Sequence, residues 1–277
     1  MPGLSNGVNM YPILFRLGGL EIYAYGVFVL LSFATGVLLV IQRARKAKVS
    51  ISFERIADLF FYAVLSALLG SRILFVLINF NVYRKNPLEA FKIWEGGLVF
   101  YGGLILAAVV SIIYMKWHQL PIWKFADLSS PSIALGLFFG RIGCFFAGCC
   151  YGKETSLPWS VVFKDPNSLA RLNVPLHPTQ LYEAAVGIVI FFFLIWWEKR
   201  KSFDGQTFWV FTLLYSVTRF LIEMLRGDPR GFIFQDLLST SQGIGIFLAI
   251  LSLFMLSYLK RVQRTEEIEK DGRCGDS

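Results

Sequence analysis

The chain has 277 residues, of which 55% are hydrophobic and 16% aromatic, with a formal net charge of +8 and a mean hydropathy of +0.57. That composition excludes an ordinary soluble domain. No nucleic-acid-binding motif accompanies the basic surplus, which reads instead as membrane topology and affinity for anionic lipid headgroups.

The opening stretch "MPGLSNGVNMYPILFRLGGLEIY" lacks the basic start, continuous apolar core and cleavage site of a signal peptide. It is expected to be a short amphipathic segment at the membrane interface. Seven apolar runs follow, at about 23–42, 56–79, 98–116, 126–147, 179–197, 206–225 and 242–259, each near the roughly 20 residues that cross a bilayer as helix. The expected fold class is therefore all-α: a polytopic integral membrane protein with seven transmembrane helices. Fifteen Lys and Arg lie beside the loops after runs one, three, five and seven, nine lie on the other side, and Arg72, Arg141 and Arg219 fall inside runs. The positive-inside rule then puts the N-terminus outside and the C-terminus in the cytoplasm. The longest extramembrane piece, 151–178, falls on the outer side, where its prolines and the β-like "WSVVF" suggest a small ordered cap. Residues 1–262 read as one membrane domain and 263–277 as a polar tail without fixed structure. No internal repeat is visible, which weighs against an inverted-repeat transporter.

Polar residues inside these runs are costly and mark candidate function. Tyr25 and Gly26 open the first run, and Arg72 lies in the second as an anion contact, a backbone contact or a snorkelling side chain. Tyr101 stands between two glycine pairs in "GGLVFYGGL". Arg141 lies in "FFGRIGCFFAGCCYG", beside a small-residue face made by Gly136, Gly140, Gly143 and Ala147. An arginine deep in a span costs about 2.5–3.5 kcal/mol on insertion scales, so it must face an interior cavity with a partner. A fixed fork of donors suits a phosphate or carboxylate, which makes Arg141 a candidate anion clamp. Cys144, Cys149 and Cys150 read as structural or incidental ahead of metal-binding or redox roles, because the two histidines, His118 and His177, lie in different loops and complete no metal-ligand set. "HPTQLYE" brings His177, Gln180, Tyr182 and Glu183 to the outer start of the fifth run. In the sixth, Tyr215, Arg219 and Glu223 recur at i, i+4 and i+8 on one helical face, with Arg226 at i+11, and Arg226, Asp228 and Arg230 lie near the outer interface, where solvent alone could satisfy them.

The blocks "YAYG", "GSRILFVL", "GGLVFYGGL", "GRIGCFFAGCCYG", "HPTQLYE", "SVTRFLIEMLR" and "STSQGIG", in that order, resemble those of the prolipoprotein diacylglyceryl transferase family. The resemblance covers nearly the whole chain and implies a bacterial inner-membrane enzyme with seven spans. The implied reaction moves diacylglycerol from phosphatidylglycerol to the lipobox cysteine thiol of a prolipoprotein, releasing glycerol phosphate without a cofactor or metal. The implied partners are those two substrates and the surrounding membrane lipids, with no nucleic acid. By the resemblance, Arg141 corresponds to the family's phosphatidylglycerol-binding arginine and Arg219 to its second essential one. Tyr25, Tyr215 and Glu223 also fall on positions that the family uses, and Arg72, Gly152 and Gln180 are added as further candidate substrate-binding residues. The chain departs from the family in having Tyr101 where many members have a histidine proposed as base, and Cys144 and Cys149 where many have asparagine and glutamate. Tyr101 and His177 are the two candidates for taking the thiol proton. The competing reading is a transporter or flippase for an anionic lipid, whose arginines would look alike in sequence.

Overall fold

The structure, a computed structural model, describes residues 11–18, 20–47, 51–92, 96–228, 232–233 and 238–275, with the side chains at 17, 20, 232–233 and 266–275 left aside. Among the described residues, six helices combine the length and apolar composition needed to cross a membrane, so the chain is a polytopic membrane protein. They are α1 (Ala24–Lys46), α2 (Phe53–Ile78), α4 (Phe100–Trp117), α5 (Ile122–Ala147), α6 (Thr179–Trp197) and α8 (Thr240–Gly275). A short α3 (Phe80–Tyr83) follows α2. The sixth expected span is present as α7 (Gln206–Glu223), but it is not among those six. Thr207, Thr212, Ser216, Thr218, Arg219 and Glu223 make it the most polar of the long helices before the C-terminal one.

Among the described residues, the all-α expectation needs one amendment, three small two-stranded antiparallel sheets. β1 (Ile13–Leu17) pairs with β2 (Leu20–Tyr23), β3 (Val161–Val162) with β4 (Pro175–Leu176), and β5 (Phe232–Ile233) with β6 (Leu238–Ser239). The first forms within the segment expected at the interface, over residues 13–23, and Arg16 pairs with Glu21 across it at 3.3 Å. Residues 1–10 lie outside the described residues. The backbone of 263–275, expected to lack fixed structure, continues α8. Large apolar side chains such as Leu30, Phe61, Ile113, Phe192 and Phe254 are exposed, the inverse of a soluble protein and the pattern of a lipid-facing surface.

The chain divides into two compact units, residues 41–125 and residues 1–40 with 126–277. In the first, α2 and α4 meet backbone to backbone at Gly70 and Gly102, where a Cβ on either would strike the other's carbonyl oxygen. Arg72 is buried there. Its Nε donates to the Ala90 carbonyl at 2.8 Å, Nη2 to Glu89 at 2.8 Å, and Nη1 to Gly96 at 2.7 Å and Gly97 at 3.3 Å. Residues 93–95, including the start of "WEGG", lie outside the described residues.

In the second unit, Ser32 on α1 donates to the Gly136 carbonyl on α5 at 3.2 Å, and Tyr25 and Phe28 press on Gly143. On another side of α5, Gly187 of α6 lies against the backbone of Ala134 and Phe138. Ala134, Ile190, Leu194 and Phe211 then join α5, α6 and α7 in one apolar cluster. Gly136 and Gly143 thus serve helix packing as expected, whereas a Cβ at Gly140 would meet nothing within 4 Å. Loop 151–178 is ordered around its own core of Val161, Phe163, Ala170 and Leu176, to which Phe145 of α5 adds its ring.

At the other end of this unit, Asp127 on α5 is buried and holds the start of α7. Its carboxylate accepts from the Gly205 N–H at 2.8 Å, the Phe208 N–H at 2.9 Å and Lys201 Nζ at 3.2 Å. This supplies the N-terminal cap that α7 lacks in its own sequence, where Gly205 occupies the cap position in left-handed conformation. Replacing Asp127 by Ala strands two amide donors and leaves Lys201 with Asp204 alone, and should cost roughly 3 kcal/mol. The check is thermal unfolding in detergent, with a clear drop in midpoint expected for Asp127→Ala and a smaller one for Asp127→Asn.

Candidate active site

The first turn of α6 builds the site. Pro178 precedes it, and the two side chains that follow clip it to the end of α5: Thr179 Oγ1 donates to the Cys150 carbonyl and Gln180 Nε2 to that of Cys149, both at 2.8 Å. Both side chains are fully buried. Gln180 Oε1 is also buried and has no hydrogen-bond partner among the described residues. Helical periodicity then presents Glu183 on the same face as Thr179 and Gln180.

Glu183 is the hub. Its Oε1 accepts from Arg219 Nη1 at 3.0 Å and Arg226 Nη1 at 2.9 Å, while its Oε2 faces Arg141 Nε at 2.8 Å. Three guanidiniums from α5, α7 and the segment after α7 therefore converge on one carboxylate whose side chain is 4% exposed. Arg219 Nη2 also reaches Glu223 Oε2 at 2.8 Å, the expected i,i+4 pair, but the pair does not close on itself because the other end of Arg219 goes to Glu183. Glu223 accepts in turn from Ser239 Oγ at 3.0 Å. Ser239 and Gln242 form a reciprocal cap on α8, in which the Ser239 N–H donates to Gln242 Oε1 and the Gln242 N–H to Ser239 Oγ.

Arg226 departs from expectation. The sequence places it near the interface, and the structure buries it, with a two-pronged hold on Asp228 at 2.9 and 3.0 Å. Burial opposes its charge, yet the hydrogen bonds to Asp228 leave its pKa above the ordinary arginine value. Asp228 is partly exposed at the rim, so the buried part sets three guanidiniums against two carboxylates, Glu183 and Glu223. Arg141 is the least committed of the three. Only its Nε meets a carboxylate among the described residues, which leaves both terminal NH2 groups, the fork that suits a phosphate. Arg230 lies outside the described residues.

The remaining predicted positions fall in two groups. Tyr215, one turn before Arg219 and stacked on Phe211 with ring centres 6.1 Å apart, lies close enough to Arg141 to interact electrostatically, as does Tyr25 on α1. His177 and Gly152 are joined through the backbone, the Gly152 N–H donating to the His177 carbonyl and the His177 N–H to that of Lys153, both at 3.0 Å. The Lys153 N–H donates to the Leu225 carbonyl at 2.8 Å, so the start of the loop ties α6 to the end of α7. Gly152 is squeezed there, since a Cβ would lie 2.8 Å from the carbonyl oxygens of both His177 and Leu225. His177 Nδ1 lies 3.3 Å from the Tyr182 hydroxyl. Tyr101, in the first turn of α4, and Arg72 belong to the unit of residues 41–125. With Nε, Nη1 and Nη2 all on carbonyls, Arg72 is the backbone contact among the three roles the sequence allowed, and neither snorkels nor offers a fork to an anion.

A sequence model described as prolipoprotein diacylglyceryl transferase matches residues 12–258. The chain belongs to that family. A phosphatidylglycerol–prolipoprotein diacylglyceryl transferase of Clostridium tetani is 37% identical over 248 residues, covering 90% of this chain and 97% of the relative. The second such transferase of Clostridium perfringens is 34% identical, covering 93% of this chain and 99% of its own. The Bordetella parapertussis protein of the same name is 36% identical over 86% of this chain and 90% of its own.

Glu183 is what the sequence-level set of family site residues left out. Its signal was present, a carboxylate one turn after Gln180 at the start of an apolar run, where an unpaired charge would be costly. Removing it takes from Arg141 the one carboxylate it meets among the described residues and leaves Arg219 with Glu223 and Arg226 with Asp228, so Glu183→Ala should lose about 3–5 kcal/mol, the usual cost of breaking a buried pair. Comparing thermal unfolding of the variant and the parent protein in detergent checks this.

Proposed function

We propose that this chain transfers the diacylglyceryl group of phosphatidylglycerol to the lipobox cysteine thiol of prolipoproteins, the first step of bacterial lipoprotein maturation. Family membership supports the reaction class. The observation that supports the site is the guanidinium cluster around Glu183, with the terminal nitrogens of Arg141 left over.

In the proposed step the substrate sulfur attacks the glycerol carbon that carries the phosphate. A carbon–sulfur bond forms, the carbon–oxygen bond breaks, and glycerol phosphate leaves with one more negative charge than the phosphodiester carried. The enzyme needs no nucleophile of its own. It needs cations where that charge develops, and Arg141 and Arg219 supply them in a site shielded from water, where such groups act most strongly. Glu183 holds the two guanidiniums, with Arg226, in place before the substrate arrives. Tyr215 and Glu223 support Arg219 and Arg141 from α7, and Tyr25 borders the headgroup. Gln180 Oε1, a buried acceptor in want of a donor, suits a hydroxyl of the headgroup glycerol. Gly152 lets the start of the loop run against both His177 and the segment that carries Arg226.

The thiol begins near pKa 8.5, so a modest acceptor suffices for its proton. Tyr101 is assigned this task, with His177 as the alternative, favoured by its contact with the Tyr182 hydroxyl. The assigned setting is the bacterial inner membrane, crossed seven times if α7 is included, with the N-terminus and loop 151–178 on the periplasmic side and the C-terminus in the cytoplasm.

The test is purified protein in detergent with phosphatidylglycerol and a lipobox peptide, reading the mass of the peptide. Diacylglyceryl addition is expected, whereas a lipid transporter would leave the peptide unchanged. Arg141→Ala and Arg219→Ala should each lower the rate by about 100–1,000-fold, as for loss of an oxyanion donor, while the proteins still insert. Near-normal activity in either would remove that arginine from the phosphate site. Comparing Tyr101→Phe with His177→Asn decides between the proton acceptors, because only the variant that loses the true acceptor should be slow.

A further inference from the structure

The three cysteines beside the arginine cluster are not used by the reaction proposed above, and the fold brings them together. The ligand atoms of Cys144, Cys149 and Cys150 all lie within 4.8 Å of one another. Cys144 is buried on the last turn of α5, and the other two are partly buried in the turn that follows.

The turn is built at a conformational cost. Gly148 has φ +75°, and Cys150 has φ +64°, a left-handed conformation that Gly or Asn adopts more cheaply than cysteine. Two buried side chains hold it: Thr179 takes the Cys150 carbonyl and Gln180 that of Cys149. The Cys149 thiol is turned back onto the Cys144 carbonyl at 3.8 Å. A strained cysteine at a pinned turn, directing its sulfur to two others, is more than small-residue filling.

We infer that Cys144, Cys149 and Cys150 form a binding site for one thiophilic metal ion of the zinc class. Metal–sulfur bonds of about 2.3 Å put three sulfurs roughly 3.8–4.0 Å apart, so the thiols need only small rotamer adjustments to become ligands. Thiolates select soft or borderline cations over magnesium or calcium. Three thiolates around a divalent ion carry a net charge of −1, and both Arg226 and Arg141 interact electrostatically with Cys150, so a balancing charge is present. Three protein ligands leave one coordination position for water or an added ligand. Binding releases the thiol protons and involves no electron transfer. The bound ion would staple the end of α5 to the first residues of loop 151–178. This inference is independent of the assigned reaction, since it concerns metal retention alone.

The test uses the full chain in detergent, reduced, stripped with a chelator, loaded with Zn2+ or in parallel with Cd2+, and then desalted. The parent protein and Cys274→Ser are expected to retain about one ion per chain and to show thiolate-to-metal absorption with Cd2+, while C149S/C150S retains at least about tenfold less. On the parent protein alone, which removes any question of the variant's folding, Zn2+ should slow alkylation of Cys149 and Cys150 at least about tenfold and raise the unfolding midpoint. Equal retention by parent and double variant, or no protection of these thiols in the loaded parent, overturns the site. So does a disulfide among the three thiols that, once reduced, leaves a protein retaining no metal.

Discussion

A single buried carboxylate organises the larger of the two units. Glu183 has two oxygens and meets three guanidiniums, each carried by a different stretch of chain. In a membrane interior none of the four groups is tolerable alone. The helices that carry them are therefore committed to one arrangement: α6 brings the anion, α5 and α7 bring cations, and the turn after α7 brings the last. What suits such a cluster to bind an anion is the uneven way the donors are used. Arg219 and Arg226 are bridged at both ends, whereas among the described residues Arg141 is held only by Nε and keeps its fork open.

The supports of this cluster reach outward in layers. Gln180 and Thr179 fix the turn after α5, Gly152 lets loop 151–178 run against the end of α7, and Ser239 ties Glu223 to the start of α8. Polar side chains at helix ends thus perform two tasks at once. They satisfy backbone groups that lipid cannot, and they orient the charges. Asp127 does the same at the far end of α5 for the start of α7. In each case a polar residue inside an apolar run has a backbone group waiting for it.

Much of this was legible in the sequence because membrane physics makes exceptions visible. An arginine in a 20-residue apolar run must have a partner, so Arg141 and Arg219 declared themselves, and the i,i+4 spacing of Arg219 and Glu223 gave a true contact. The helices followed from hydropathy, and the β-like "WSVVF" holds a short strand. Three things were not legible. The convergence on Glu183 depends on how α5, α6 and α7 meet, which no one-dimensional spacing encodes. Arg226 sits three residues past α7 in a stretch rich in charge, so composition suggested solvent where the fold supplies Glu183 and Asp228. The meeting of Cys149 and Cys150 with Cys144 needs two left-handed residues, a local reversal that cysteine does not advertise. At Arg72 the sequence left an anion contact, a backbone contact and snorkelling open, and the fold supplies four carbonyls.

The central claim is that the open fork of Arg141 and its neighbour Arg219, both braced by Glu183, receive the phosphate of a phospholipid. An experimental structure with phosphatidylglycerol bound tests it most directly. Phosphate oxygens are expected at hydrogen-bond distance from the terminal nitrogens of Arg141 and from Arg219, with Glu183 still paired with Arg141 Nε. A headgroup bound elsewhere, with the contacts of all three arginines unchanged and no phosphate oxygen near Arg141, would contradict it.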